Sequence, residues 1–278
     1  MGSGYYRYLR NLLKDRSGLI LTPEKNYLID TRLAPLARKR GYQTIADMVQ
    51  NLTAYPDEAL TVEIVEAMNT HESSFFRDRE PFDLFKSTIL PQLLQRRADK
   101  RHIRVWCAAC SSGQEPYSLA MIVKGEAAKL AGWKVDIVAT DISHSVLARA
   151  ALGRYSQFEI QRGLPVNLLV KHFTQDGDDW RVNDDVRKMV TFKPFNLLHE
   201  CDGLGQFDLV FCRNVMIYFD LETKSRVLAS ISKVLHKDGV LFLGSAESTM
   251  GLTEDFGPVQ AGRGAYKHTN GPPCLVEI

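Results

Sequence analysis

The chain has 278 residues, 45% hydrophobic and 24% charged, which is an ordinary globular balance and excludes disordered and fibrous classes. That length predicts one large domain with a smaller one, or a domain carrying an insertion. A net charge of +2 is too weak to argue for nucleic-acid binding.

No apolar run approaches the roughly 20 residues of a membrane-spanning helix, and the start lacks the charged-then-apolar layout of a secretory signal, so the chain is expected in the cytoplasm. Residues 1–43 hold nine Lys or Arg against three acids. Such a run is usually the solvated face of small helices, and an acidic partner surface is the alternative. The five cysteines, Cys107, Cys110, Cys201, Cys212 and Cys274, are odd in number and lie mostly in apolar stretches, which predicts reduced thiols.

In chain order, the first 70 residues contain no convincing strand. Tyr5–Leu13 reads as a helix, and Glu24–Arg40 as a longer one between Pro23 and Gly41. Thr44 with Asp47 forms a capping box opening a helix with Ile45, Met48, Val49 and Leu52 on one face. Leu60, Ile64, Val65 and Met68 make the next stripe. From Pro81, Phe82, Phe85, Ile89, Leu93 and Leu94 recur at helical spacing.

Strands then alternate with helices. The strands are Ile103–Ala108, Val135–Ala139, Met189–Phe192, Phe207–Cys212 and Val240–Leu243; the helices are Tyr117–Leu130, one from Ser143, and Leu221–Leu235. This alternation predicts a mainly parallel sheet covered on both faces, with ligands at the carboxyl ends of its strands. Residues 153–188 interrupt it with a short helix near Val166–Lys171 and an antiparallel turn at Asp176–Asp179, so a small inserted subdomain is expected there. The tail Gly271–Ile278 is expected to be poorly ordered.

Small residues fill Trp106-Cys107-Ala108-Ala109-Cys110-Ser111-Ser112-Gly113 where the first strand turns into its helix, so a nucleotide-like ligand can approach the backbone. Gly113 is the only glycine there, which argues against a dinucleotide. Glu115 adds a carboxylate able to accept from an ammonium group; an ordinary strand-to-helix turn explains the loop equally well. Asp141 ends the second strand, placed for ribose hydroxyls or as a helix N-cap. Cys107 and Cys110 have CxxC spacing without a second pair, and Phe75 stands where an HExxH motif needs histidine, so metal chemistry is disfavoured. Taken one at a time, Phe75 and Phe76 read as core, Asn196 and Asn214 as turn residues, Tyr218 as a buried aromatic and Arg77 as a surface charge.

Together, five ordered segments resemble the CheR family of chemoreceptor protein-glutamate O-methyltransferases. They are His71-Glu72-Ser73-Ser74-Phe75-Phe76-Arg77, Gly113–Ser118, Asp141-Ile142, Phe195-Asn196-Leu197 and Cys212–Phe219. Members commonly have Asn where this chain has His71, and Thr where it has Ser73. The resemblance implies an α/β fold: a Rossmann-like class I methyltransferase sheet over residues 71–278, an all-helical domain over residues 1–70, and an antiparallel β-subdomain inserted at 153–188. It also implies S-adenosyl-L-methionine as cofactor, S-adenosyl-L-homocysteine as product, and chemotaxis receptors as partners that could recruit the chain to membrane arrays. The implied cofactor contacts are His71, Ser73, Arg77, Glu115, Asp141, Asn196, Leu197, Asn214 and Val215, with Arg77 and Tyr218 positioning the reaction. No exposed coiled-coil repeat is visible, so a monomer is expected. A methyltransferase of the same fold with another protein or a small acid as substrate, and a regulatory module that binds cofactor without turnover, remain alternatives.

Overall fold

The computed structural model describes residues 4–260 and 262–276, in two compact units. The first comprises residues 4–70 with Tyr218–Thr223. Its helices are α1 (Gly4–Ser17), α2 (Asn26–Lys39), α3 (Ile45–Ala54) and α4 (Glu58–Met68). The expected second helix splits, because Pro23–Lys25 forms a 3₁₀ turn ahead of α2. That helix stops at Gly41 (φ +83°), where the Gly41 and Tyr42 amides donate to the Arg38 and Ala37 carbonyls in a Schellman closure. The capping box is formed: Thr44 Oγ1 accepts from the Asp47 amide at 3.1 Å and Asp47 Oδ2 from the Thr44 amide at 3.0 Å. All eight residues of the two expected apolar stripes are buried, joined by Leu9, Leu13, Ile29 and Leu33. The sequence periodicity therefore points inward in each helix.

The second unit is built on a seven-stranded sheet. It opens with α5 (Glu80–Leu84), a π-helical stretch at Phe85–Ile89 and α6 (Leu90–Arg96), one run that keeps Phe82, Phe85, Ile89 and Leu93 buried. Then come β1 (His102–Ala108), α7 (Gln114–Gly125), β2 (Lys134–Asp141) and α8 (His144–Leu152). The insert holds β3 (Arg154–Ser156), α9 (Gln157–Gln161), α10 (Val166–His172), β4 (Phe173–Asp176), β5 (Asp179–Val182) and α11 (Asp184–Arg187). The chain continues through β6 (Val190–Pro194), β7 (Phe207–Cys212), α12 (Leu221–Val234), β8 (Leu235–Leu243), β9 (Phe256–Pro258) and β10 (Ala265–His268).

Strand order in the large sheet is β6-β2-β1-β7-β8-β10-β9, parallel except for β10, which runs antiparallel to both its neighbours. The chain steps from β1 to β2 and β6 on one side, then returns to β7 and β8 on the other. The switch point therefore lies between β1 and β7, where open α/β sheets bind ligands at the strand carboxyl ends. Register aligns those ends: Ala108 pairs with both Thr140 and Cys212, Asp141 with Pro194, and Cys212 with Leu243. Buried Val105, Cys107, Ile137, Leu209, Phe211, Val240 and Phe242 join the helices in one core.

The insert forms its own antiparallel sheet, β3-β5-β4, as the turn at Asp176–Asp179 predicts, with a third strand the sequence pattern does not announce. The tail departs from expectation. Cys274, Leu275 and Val276 are buried in the core and the Leu275 amide donates to the Asp238 carbonyl, because burying this apolar triplet is favourable. The last two residues of that expectation lie outside the described residues. No helix among the described residues is long and apolar enough to cross a membrane.

Candidate active site

Every expected site residue except Tyr218 lies in the sheet unit, and most follow the carboxyl ends of parallel strands. After β1, the loop to α7 puts Ala109 and Ser111 in the left-handed region (φ +57° and +51°), a conformation that costs about 1–3 kcal/mol per non-glycine residue and clusters at functional sites. Ser111 Oγ is buried without a hydrogen-bond partner. The Ser111 amide donates to Asp141 Oδ2 at 2.9 Å, and the Ser143 amide to Asp141 Oδ1 at 3.0 Å. Ser143, not Asp141, caps α8. Asp141 is only 6% exposed, and burial pushes its carboxyl up, against the pull of those amides and the charge of His71. Two amides leave a carboxylate with acceptor capacity to spare.

Glu115 stands in the first turn of α7, its side chain 13% exposed. Burial raises its carboxyl, and the Arg213 guanidinium opposes the rise. Arg213 follows β7 and is itself buried: Nη1 donates to Glu115 Oε2 at 3.1 Å, and Nη2 to Asp78 Oδ2 at 2.7 Å and to the Arg77 carbonyl at 2.9 Å. One guanidinium thus joins the His71–Arg77 segment, α7 and the end of β7. That segment is strained, with Phe76, Asp78 and Arg79 all left-handed, and a second bond holds it, from the Phe76 amide to Ser118 Oγ at 3.0 Å. Arg77 donates through Nη1 to the Glu72 carbonyl at 3.1 Å, and its charge reaches Glu115. Ser73 is half-buried beside them in sequence, while Phe75 is fully buried against Tyr155 and Phe173 and belongs to the core.

After β6, the Phe195 amide donates to the Asp141 carbonyl at 2.9 Å, bringing Asn196 and buried Leu197 to the same edge; Asn196 Oδ1 accepts from the Leu198 amide. After β7, Asn214 is left-handed (φ +58°). The carboxylate of Glu247 accepts the amides of Asn214 (2.7 Å), Val215 (2.9 Å), Ile217 (3.2 Å) and Gly244 (2.6 Å). A Cβ at Gly244 would lie 2.6 Å from Asn214 Nδ2 and 2.8 Å from Glu247 Oε2, so only glycine fits this approach. Tyr218 groups with the helical unit, where its carbonyl accepts the Ile20 amide at 2.9 Å.

Sequence reasoning misses Arg213 and Glu247. Arg213 lies inside the Cys212–Phe219 segment, where a basic residue directly after an apolar strand is the available signal; Glu247 has none, since its partners are 30 or more positions away except for Gly244.

The donor set fits an adenosyl amino acid. A small-residue loop leaves backbone open, Ser111 Oγ is a buried polar atom lacking a partner, Asp141 offers acceptors to hydroxyls, and Glu115 offers one to an ammonium group. The buried thiols of Cys107 and Cys212 are pushed up by burial, so they are inert neutral groups there.

A fold with this switch point and this acceptor set defines a methyltransferase with an S-adenosylmethionine-binding domain, and comparison with known families agrees. Residues 71–265 match the CheR methyltransferase, SAM binding domain, and residues 5–67 the CheR methyltransferase, all-alpha domain. The chain belongs to the CheR methyltransferase family. It is 38% identical over 263 residues to Chemotaxis protein methyltransferase Cher2 of Pseudomonas putida, covering 93% of this chain and 95% of that protein. Chemotaxis protein methyltransferase 1 of Pseudomonas aeruginosa gives the same identity and coverage. A chemotaxis protein methyltransferase of Borreliella burgdorferi is 36% identical over 248 residues, 87% of each chain.

Proposed function

We propose that this methyltransferase esterifies glutamate side chains on the cytoplasmic helices of methyl-accepting chemotaxis receptors, releasing S-adenosyl-L-homocysteine. The observation that carries the reading is the convergence of Glu115, Asp141, Arg213 and the Glu247-held loop at one strand edge, in a chain whose relatives are named chemotaxis protein methyltransferases. Residues 1–70 serve as a helical domain, residues 71–278 as the transferase domain, and the insert 153–188 as the receptor-contacting subdomain. The chain works in the cytoplasm as a monomer and is brought to the membrane by its receptors.

S-adenosyl-L-methionine, when bound, supplies an electrophilic methyl on a cationic sulfur. His71, Ser73, Arg77, Glu115, Asp141, Asn196, Leu197, Asn214 and Val215 hold it. A glutamate carboxylate, with an ordinary pKa of about 4.3, is already ionised at neutral pH, so no general base is required. What remains for the protein is alignment of the attacking oxygen and exclusion of water. Arg77 grips a carboxylate with its planar fork. The Tyr218 hydroxyl orients the substrate carboxylate with a single bond, which leaves it more nucleophilic than a full salt bridge would.

The test is transfer of radiolabelled methyl to receptor cytoplasmic fragments. Label released by mild base, and abolished when the acceptor glutamates are changed to alanine, is expected. Base-stable label, or label on small carboxylic acids in preference to receptor, would sink the proposal.

A further inference from the structure

Among the described residues of the sheet unit, Arg213 is a buried charged group whose arrangement is left open. Its guanidinium faces two carboxylates, Glu115 and Asp78, and a main-chain carbonyl, while Nε has no partner. Resting on the cofactor-site reading above, we infer that Arg213 is a positioning residue that keeps Glu115 an anion with acceptor capacity to spare, and fixes the Arg77 segment beside it, so that a cationic amino group can be captured.

The geometry divides the work. Nη1 gives Glu115 Oε2 a single bond and the Cys107 thiol adds a weak second one to the carboxylate, which leaves acceptor capacity that a bidentate fork would have consumed. Nη2 serves the Arg77 carbonyl and Asp78, pinning a stretch in which Phe76, Asp78 and Arg79 are all left-handed. The side chain is 2% exposed and its guanidinium carbon lies 5.8 Å from the Phe82 ring centroid, so water does not screen its pull on Glu115.

Other groups facing Glu115 are Arg77, whose charge favours the carboxylate, and the Cys107 thiol, which donates to it; Cys110 and Cys212 are near enough to feel it. Neither thiol ionises in the working range, because burial raises both. Burial alone would protonate Glu115 as pH falls, and Arg213 opposes that. Ligand capture needs the anion, so affinity should fall as pH drops through the Glu115 value, and loss of Arg213 should move that fall to higher pH.

The experiment is calorimetric titration with S-adenosyl-L-homocysteine over a pH series that runs from the alkaline side down through the acid limb of the affinity curve. Four forms of the full chain are compared: unaltered, Arg213→Gln, Asp78→Asn and Glu115→Gln. For Arg213→Gln we expect the midpoint of the affinity loss to rise by about one pH unit or more, which costs about tenfold in affinity on the acid limb and is recovered as pH rises. Asp78→Asn changes a half-exposed residue and frees Arg213 for Glu115, so its midpoint should move to lower pH. Glu115→Gln should remove the pH dependence. An Arg213→Gln variant that loses affinity equally at every pH, or an Asp78→Asn midpoint that does not move, overturns the role. If the unaltered chain does not bind, the cofactor-site reading itself fails and takes this role with it.

Discussion

Two arginines in the sheet unit, Arg97 half-buried and Arg213 buried, face pairs of carboxylates at opposite ends of the strands, and they are wired differently. Near the amino ends, Arg97 donates through Nε to Asp208 at 2.7 Å and through Nη1 and Nη2 to Asp238 at 3.0 and 2.6 Å, and Asp208 accepts the Arg104 amide at 2.8 Å as well. At the carboxyl ends, Arg213 has a nitrogen without a partner, Glu115 takes only one of its bonds, and the loops around them are held in left-handed conformations. Matched donors and acceptors make a brace. Unspent hydrogen-bonding capacity, held by strain, makes a binding site.

If that contrast is right, changes at the brace should register in stability and changes at the open end in ligand affinity or turnover. The largest effect expected is on folding. Asp208→Ala removes a buried acceptor from the half-buried Arg97 Nε and the Arg104 amide, and should lower unfolding free energy by about 2–3 kcal/mol in urea titration. A loss under about 1 kcal/mol would mean the brace is dispensable.

Next comes the carboxylate that holds the Asn214 loop. Glu247→Ala leaves four amides without their acceptor, so affinity for S-adenosyl-L-homocysteine should weaken by about tenfold to a hundredfold, or about 1.4–2.8 kcal/mol. Unchanged affinity would remove the loop from the site. Tyr218→Phe sharpens the division within the site itself: turnover should fall by about tenfold or more with affinity for the product within about twofold, because the hydroxyl is assigned to the substrate alone. Equal turnover would take Tyr218 out of the mechanism.

The smallest effect is in acid, where the two ends should respond in opposite senses. Asp238 is held below the usual carboxylate range: burial would raise it, but the Arg97 hydrogen bonds and charge prevail. Its stabilisation is therefore present above its unfolded value near 3.9 and is lost only as pH falls further, through the lower folded value. Glu115 is raised, so its share is present below its unfolded value near 4.3 and is lost as pH rises through the folded value. Any stability gained by Glu115→Gln should accordingly be larger at pH 7 than at about pH 5 in thermal melts. A difference that does not vary with pH would contradict the assignment.

Much of this is legible in the residues. The helical stripes of the first 68 residues are readable because each helix buries one face, and the Thr44–Asp47 box marks a boundary by local chemistry alone. Phe207–Cys212 is apolar but for Asp208 because β7 is buried on both faces, and that one acid is the partner of Arg97. β8 begins at Leu235 rather than Val240, since its first half, around His236, Lys237 and Asp238, is polar and crosses a bulge opposite Phe207–Leu209. β9 and β10 escape notice because they are short, antiparallel and at one edge of the sheet, where apolar runs are not required. Asp141, Glu115 and Asn214 can be suspected from their places after strands. The partners that aim them cannot, because Arg213 meets Glu115 across 98 positions and Glu247 meets Asn214 across 33.

The claim that the open end of the sheet is the cofactor site is tested most directly by calorimetric titration of S-adenosyl-L-homocysteine into the unaltered chain, Asp141→Ala and folded Asp208→Ala. Binding by the unaltered chain, a loss of about tenfold or more for Asp141→Ala, and no loss for Asp208→Ala are predicted. Undiminished binding by Asp141→Ala would contradict the account.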